Sequence, residues 1–268
     1  MYPKFLKELQ KKSRGVADSR ERQLPVIDLS FKKVNSSSSS WVATSAKVRH
    51  ALEEYGCFIA LYGVSKDLHD AAFIASQEVH DLPVEVKVRN VLDATGYGYS
   101  GEKLAKMPLY ERLSIEDAAT AEGAERFTKL MWPSRNDTLW DKSFMTVIHQ
   151  REEGKSLEIQ AKDGEWIQVD LSPSSFIVMA GDVCMAWSNG RIQAPYHKVM
   201  MQGNKDRYSL VLSSFIRDLK IEVPQELIDE DHPLQFKAFD HYEYIQYVDS
   251  NTIQGVRLQD AIKSYCGI

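Results

Sequence analysis

Residues 163–215 read DGEWIQVDLSPSSFIVMAGDVCMAWSNGRIQAPYHKVMMQGNKDRYSLVLSSF, and the texture of this stretch decides the fold class. Short apolar runs follow one another closely: EWIQVDL (165–171), SFIVMAGD (175–182), VCMAWSNG (183–190), YHKVMM (196–201) and RYSLVLSSFI (207–216). Turn signals such as Asp163-Gly164 and Gly203-Asn204 separate them. Going backward, SFMTVIHQ (143–150) and SLEIQ (156–160) join the same series. Many short strands divided by turns predict a β-sandwich or a barrel-like roll.

Upstream the pattern mixes strand and helix. LPVIDL (24–29) is a short strand with Pro25 at its start, and NSSSSS (35–40) is a flexible connector. A helix is predicted over 42–54, turning Val42, Val48, Ala51 and Leu52 to one face. GCFIALYG (56–63) is a buried strand closed by glycine, and 66–83 is an amphipathic helix ended by Pro83. Residues 84–140 are irregular, and the segment 224–268 is acidic, then aromatic, before a final helix in VRLQDAIKSYC. The chain therefore divides into a mobile tail (1–22), a strand-and-helix region (23–140) and a β-roll region (141–268). No internal repeat is visible.

Composition narrows the function classes. The chain has 268 residues, a net charge of −5, and hydrophobic and charged fractions of 43% and 26%, ordinary values for a soluble globular protein. Such a charge gives no support to a nucleic-acid or membrane-surface partner. The longest apolar runs are too short to span a bilayer, and MYPKFLKELQKK lacks the apolar core of a secretory signal. Cys57, Cys184 and Cys266 are scattered and odd in number, which argues against a disulfide framework and points to the cytoplasm.

Several residues invite a chemical reading. GYGYSG (96–101) satisfies a dinucleotide-binding pattern, but no strand precedes it and no helix follows it, so it is expected to be an irregular glycine loop. His50, His69, His80, His232 and His241 are expected on the surface or at caps, and His149 lies on a strand facing either core or solvent. His197, alone on a strand, would be a structural residue; its company changes that. Arg207 sits among Tyr208, Leu210, Val211 and Leu212, where a guanidinium needs an anion, and a carboxylate taken bidentately suits it. Ser209, two positions on, shares its side of the strand and can donate to the same carboxylate. A histidine on a neighbouring strand suggests a metal that chelates an organic acid.

With these residues in place, residues 163–215 resemble the Fe(II)/2-oxoglutarate-dependent dioxygenases, and more narrowly the AOP-like enzymes of plant specialised metabolism. The pattern GD-x-x-x-x-WSNGR, then His, then R-x-S carries the resemblance. IDEDHPLQFKAFDHY and KSYCGI downstream, and LPVIDLS, GCFIALYGVS, LPVEVKVRN and FTKLMWP upstream, are similar to the same branch in the same order. The resemblance implies an α+β fold: a double-stranded β-helix (jelly-roll) core with an N-terminal helical region. It implies Fe(II) and 2-oxoglutarate, with ascorbate as an accessory, and a small organic substrate oxidised with O2. Iron in this family is held by two histidines and a carboxylate, which leaves positions for 2-oxoglutarate and O2. By resemblance His197 is the distal histidine, Asp141 the carboxylate, and Arg207 and Ser209 grip the far carboxylate of 2-oxoglutarate. No catalytic residue is implied beyond these ligands.

The chain departs from the pattern at one decisive place. Two positions before Asp141, where the family has histidine, stands Leu139, which has no lone pair for a metal. FTKLMWPSRNDTLW runs directly into DKSFMT, where relatives place a strand and two helices. One core strand and two helices are thus expected to be missing, with turnover impaired. His149 cannot substitute, because eight strand residues from Asp141 span roughly 26 Å.

Overall fold

The computed structural model describes residues 22–30, 38–90, 98–101, 110–116, 118, 120, 143–151, 154–200, 206–217, 219–253 and 260–268. Residues 1–21 of the expected tail, the Gly203-Asn204 turn, Leu139 and Asp141 lie outside the described residues, whereas Arg22, the last residue of that tail, pairs with Asp163.

The opening alternates as expected: β1 (Val26–Asp28), α1 (Ser38–Tyr55), β2 (Cys57–Leu61) and α2 (Lys66–His80). Ser65 caps α2, its hydroxyl accepting from the Leu68 N–H at 3.3 Å, and the helix stops before Pro83. Helix α1 begins earlier than expected, so Ser38, Ser39 and Ser40 are helical rather than connector. Serine is adequate at a helix start, and packing outweighs its weak interior propensity. Thr44, Ala51 and Leu52 are buried on α1, while Val42 is 66% exposed and lies off the packed face.

A short helix, α3 (Val84–Lys87), precedes a two-stranded ribbon of β3 (Tyr99–Ser100) and β4 (Arg112–Leu113). Part of the glycine-rich motif is thus a strand, and the residues on either side of 98–101 lie outside the described residues. The Lys87 ammonium is buried there and pairs with the Glu111 carboxylate at 2.6 Å, which also accepts from the Tyr99 hydroxyl at 2.5 Å.

Two sheets face each other downstream. The first has the order β1-β2-β8-β5-β10, built from β5 (Met145–Gln150), β8 (Ser175–Ala180) and β10 (Ser209–Ser213) with the two N-terminal strands. The second has the order β7-β6-β9, from β6 (Gly154–Gln160), β7 (Trp166–Leu171) and β9 (His197–Val199). The β6–β7 turn contains Gly164 at φ 87°, as Asp163-Gly164 predicts. One apolar core lies between the sheets: Cys57, Ile59, Ile148, Ile177 and Met179 from one, Leu157, Ile159, Ile167, Val169 and Leu171 from the other. The alternate residues of the first sheet, Phe58, Ala60 and Ala180, pack against Ala51 and Leu52 of α1.

VCMAWSNG is not a strand. Asp182–Trp187 forms helix α4, with Val183, Cys184, Met185 and Ala186 all buried. A short run that is apolar on every side fits a buried helix as well as a buried strand, and periodicity cannot separate them. After α4 the chain turns through Asn189 and Gly190, both at positive φ (55° and 77°). The Asn189 amide donates to the carbonyls of Leu227 (3.3 Å), His232 (3.4 Å) and Pro233 (3.1 Å), and its oxygen accepts from the Gln235 N–H at 2.9 Å. One side chain thereby staples the C-terminal segment to the roll. That segment holds β11 (Lys220–Ile221), β12 (Phe239–Asp240), α5 (His241–Ile253) and the expected final helix, α6 (Ala261–Cys266). Helix α5 was not expected. His241 at its start is fully buried and accepts from the Ile216 N–H at 3.1 Å, against the expectation of a surface histidine.

Candidate active site

Strand register sets which side chains meet inside the roll. Ser209 pairs with Gln150, Val211 with Ile148 and Ser213 with Thr146. Ile148 belongs to the core between the sheets, so this whole row faces inward. Toward β10 the interior turns from apolar to polar: Ser143 and Thr146 share a hydrogen bond at 2.8 Å, and Thr146 and Ser213 another at 3.0 Å. Arg207, two residues before Ser209, donates to the Ser209 hydroxyl at 3.5 Å and to the Gln150 side-chain oxygen at 3.4 Å. Both contacts are at the long end of the hydrogen-bond range. Both acceptors are neutral side chains that orient the guanidinium. A fork held this way suits a carboxylate.

His197 arrives from the other sheet. It pairs with Ile159, and Val199 with Leu157; both partners are core residues, so His197 faces the interior. Lys198 between them points outward, paired with Glu158 at 2.8 Å and lying 4.0 Å over the Trp166 ring. These outer contacts fix the roll of β9 about its axis. His197 Nδ1 lies 3.3 Å from the Pro195 carbonyl. A carbonyl only accepts, so Nδ1 carries the hydrogen and the Nε2 lone pair is left for a ligand. His197 is nevertheless exposed, because β9 is the last strand of its sheet among the described residues.

His197 and Arg207 therefore lie on facing sheets and not on neighbouring strands, although both point into the same interior. The geometry of Asp141 relative to His197 lies outside the described residues. Among the described residues, no group of three or more His, Cys, Asp or Glu could hold a metal ion.

The remaining histidines divide. His232 is exposed and hydrogen-bonded to Asp229 at 2.7 Å, a contact that holds the Asp229 carboxyl below its usual range. His50 is exposed, and His80 donates to the Ser76 carbonyl at 2.7 Å. His69 is buried, against the expectation, and His149 with it; both lie on the helix-covered face of the first sheet. Sequence reasoning also missed Gln150. The signal was available in its strand phase: Gln150 follows Ile148 by two, so it faces the same interior.

Comparison with known proteins adds three findings. Residues 134–215 match the 2OG-Fe(II) oxygenase superfamily, and residues 24–140 match the non-haem dioxygenase in morphine synthesis N-terminal family. The chain is similar to an Arabidopsis thaliana protein described as a probable 2-oxoglutarate-dependent dioxygenase AOP1.2. That match is 30% identical over 296 positions, covering 84% of this chain and 90% of the relative. A second Arabidopsis thaliana relative, 25% identical over 398 positions and covering 92% of this chain and 98% of its own length, is described as a probable inactive 2-oxoglutarate-dependent dioxygenase AOP2. Among solved structures, the rice dioxygenase for auxin oxidation superposes with a TM-score of 0.71 at 25% identity, covering 92% of this chain and all of that one.

Proposed function

Because the chain belongs to the 2OG-Fe(II) oxygenase superfamily, we propose that it is a 2-oxoglutarate-binding member whose iron centre is incomplete and whose turnover is impaired. The single observation that carries this reading is that the sequence has Leu139 in the place of a ligand while the three members of the carboxylate fork stand together.

The two halves of the site fit their groups unequally. Arg207, Ser209 and Gln150 form a cationic, hydrogen-bonding end that suits one carboxylate of 2-oxoglutarate. His197 offers a ring nitrogen and Asp141 a carboxylate, but leucine offers nothing, so the donor set falls one short of the two-histidine, one-carboxylate set. In the family, iron would supply oxidation of a small organic molecule coupled to loss of CO2 from 2-oxoglutarate. Here we assign binding and orientation of the cosubstrate to the chain's own residues, and no step through the metal.

Two further observations support an absent block. Since 84% of 268 residues is about 225, roughly 70 of the 296 aligned positions of the first relative face a gap in this chain. Both sheets also end openly among the described residues. On β10, Val211 is 57% exposed on the inner face and Leu212 58% exposed on the helix-side face. On β9, Val199 is 49% exposed. A missing neighbour strand and covering helix would leave these two faces bare. We place the protein in the cytoplasm. Its three cysteines are free and buried, and burial pushes the Cys57 thiol up to about 12 and those of Cys184 and Cys266 up to about 11. No helix among the described residues is long and apolar enough to cross a membrane.

A second reading, a small-carboxylate-binding module without turnover, is favoured by the same Arg207 cluster. Equilibrium titration tests the proposal: 2-oxoglutarate should bind, Co(II) should bind weakly, and Leu139→His should tighten Co(II) by about tenfold or more. Tight Co(II) binding by the unaltered chain would refute the incomplete centre.

A further inference from the structure

Behind the Arg207 cluster, on the opposite face of β5, two imidazoles are buried against each other. His69 of α2 and His149 of β5 are each 6% exposed, and His69 Nδ1 lies 2.9 Å from His149 Nε2. Their outer nitrogens face backbone carbonyls: His149 Nδ1 that of Ser175 at 3.1 Å, and His69 Nε2 that of Arg151 at 3.2 Å.

Proton counting decides what this row can be. Three contacts join four nitrogens, and the two outer ones end on oxygens that can only accept. Each contact needs one hydrogen, three in all. Two neutral imidazoles carry two. The full row therefore exists only when the pair holds one extra proton; without it, one nitrogen lone pair faces another acceptor.

The surroundings of the two rings differ. The His149 ring stacks on Phe176 at 4.5 Å and lies 5.4 Å from Phe73, and burial pushes its pKa down, with the hydrogen bond to the Ser175 carbonyl opposing it. His149 thus stays neutral, its Nδ1–H given to Ser175 and its Nε2 accepting from His69. With His149 in that tautomer, the third hydrogen that the row needs falls on His69 Nε2, facing the Arg151 carbonyl. From α2 comes Asp70, within electrostatic reach of His69; a hydrogen bond from Lys66 holds the Asp70 carboxyl below its usual range. From just past β5 comes the Arg151 guanidinium, which donates to the Gln77 side-chain oxygen at 2.9 Å and lies 5.4 Å over the Tyr208 ring just before β10. From β8 the pair meets the Ser175 carbonyl and the Phe176 ring, and from β10 Leu210, the register partner of His149.

The two residues that this row grips, His149 in β5 and Arg151 just past its end, flank Gln150, whose side chain points the other way and accepts from Arg207. The Arg151 N–H also donates to the Tyr208 carbonyl at 3.1 Å, tying the same point to β10. We propose that His69 and His149 form a proton-operated clamp between α2 and β5 that positions Gln150, and through it Arg207, for a carboxylate ligand. The clamp closes when His69 carries the extra proton. When that proton leaves, the Nε2 lone pair meets the Arg151 carbonyl, and the longest contact of the row opens beside Gln150. The link to a ligand rests on the reading of Arg207 as the cosubstrate's anchor; the clamp itself does not.

Nitrogen-15 NMR of the histidine rings and of the Gln150 side-chain amide in the full chain, titrated from about pH 8 to about pH 5.5, tests it without any ligand. The expected result is that His69 passes to the imidazolium form, His149 keeps its neutral Nδ1–H tautomer, and the Gln150 amide moves with the same midpoint. Asp70→Asn, a surface change, should shift that midpoint to lower pH, and His69→Gln should abolish the Gln150 titration. A His69 ring that does not change protonation, or a Gln150 response that survives His69→Gln, overturns the clamp. In parallel, 2-oxoglutarate should bind about threefold to tenfold more tightly at the acid end, the worth of one hydrogen bond, and His69→Gln should flatten this dependence. Coupled titration without 2-oxoglutarate binding at either pH would support the clamp while refuting the cosubstrate reading.

Discussion

Replacing Arg207 with glutamine removes the cationic fork while keeping a side chain that can still hydrogen-bond. Arg207 contacts two neutral acceptors, Ser209 at 3.5 Å and Gln150 at 3.4 Å, both long enough to give way to a stronger partner. Against a bound carboxylate the guanidinium would make charge-assisted bonds, worth roughly 1.5–3 kcal/mol each. The contacts to Ser209 and Gln150 are sacrificed in part, so the net loss on Arg207→Gln is about 2–3 kcal/mol. At 1.4 kcal/mol per tenfold, 2-oxoglutarate should bind roughly 30- to 150-fold more weakly. Ser209→Ala, which removes one neutral hydroxyl, should cost about 2- to 10-fold. Isothermal titration of each purified chain with 2-oxoglutarate measures both. Arg207→Gln binding within threefold of the unaltered chain would show that the carboxylate is held elsewhere.

Two further outcomes concern the scaffold. Asn189→Ala strips the acceptor from the Gln235 N–H and leaves a β-carbon at φ 55°, so it should destabilise by about 2–4 kcal/mol in urea unfolding. Asn189→Gly, free of the backbone strain, should recover about 1 kcal/mol of that loss, and equal losses would discount the left-handed turn. Leu212→Lys, at a 58% exposed edge position, should leave stability within about 0.5 kcal/mol and reduce light scattering on warming. Unchanged scattering would mean that the β10 edge is not where copies associate.

The fold was legible where pattern and packing agree. Strands β5 to β10 and the Asp163-Gly164 turn follow from short apolar runs and their punctuation, because a strand buried on one face needs that spacing. The alternation of β1, α1, β2 and α2 was legible for the same reason. Helix α4 was not: Val183, Cys184, Met185 and Ala186 are buried on every side, so no polar residue reports the period. The start of α1 in a serine run was hidden because composition speaks of linkers while α1 is held by packing at Ala51 and Leu52. Helix α5 was hidden behind aromatic and acidic residues that carry no clean helical stripe.

The site was legible to the extent that it is local. Arg207 and Ser209 lie two apart on one strand, so their meeting follows from strand geometry. Gln150 meets them across a strand pairing, and the β5–β10 register is not written in either strand alone. Likewise His69 and His149 are 80 positions apart, and nothing local marks either as buried. The opposed placement of His197 and Arg207 came from the return of the chain between two sheets, which ten residues of sequence do not reveal.

The most direct measurement of the central claim is 2-oxoglutarate decarboxylation with added Fe(II), comparing this chain with one carrying the relatives' block before Asp141, including a histidine in place of Leu139. The account predicts that the restored chain consumes 2-oxoglutarate at least tenfold faster, as gain of a metal ligand should allow. Equal consumption by the two chains would contradict it.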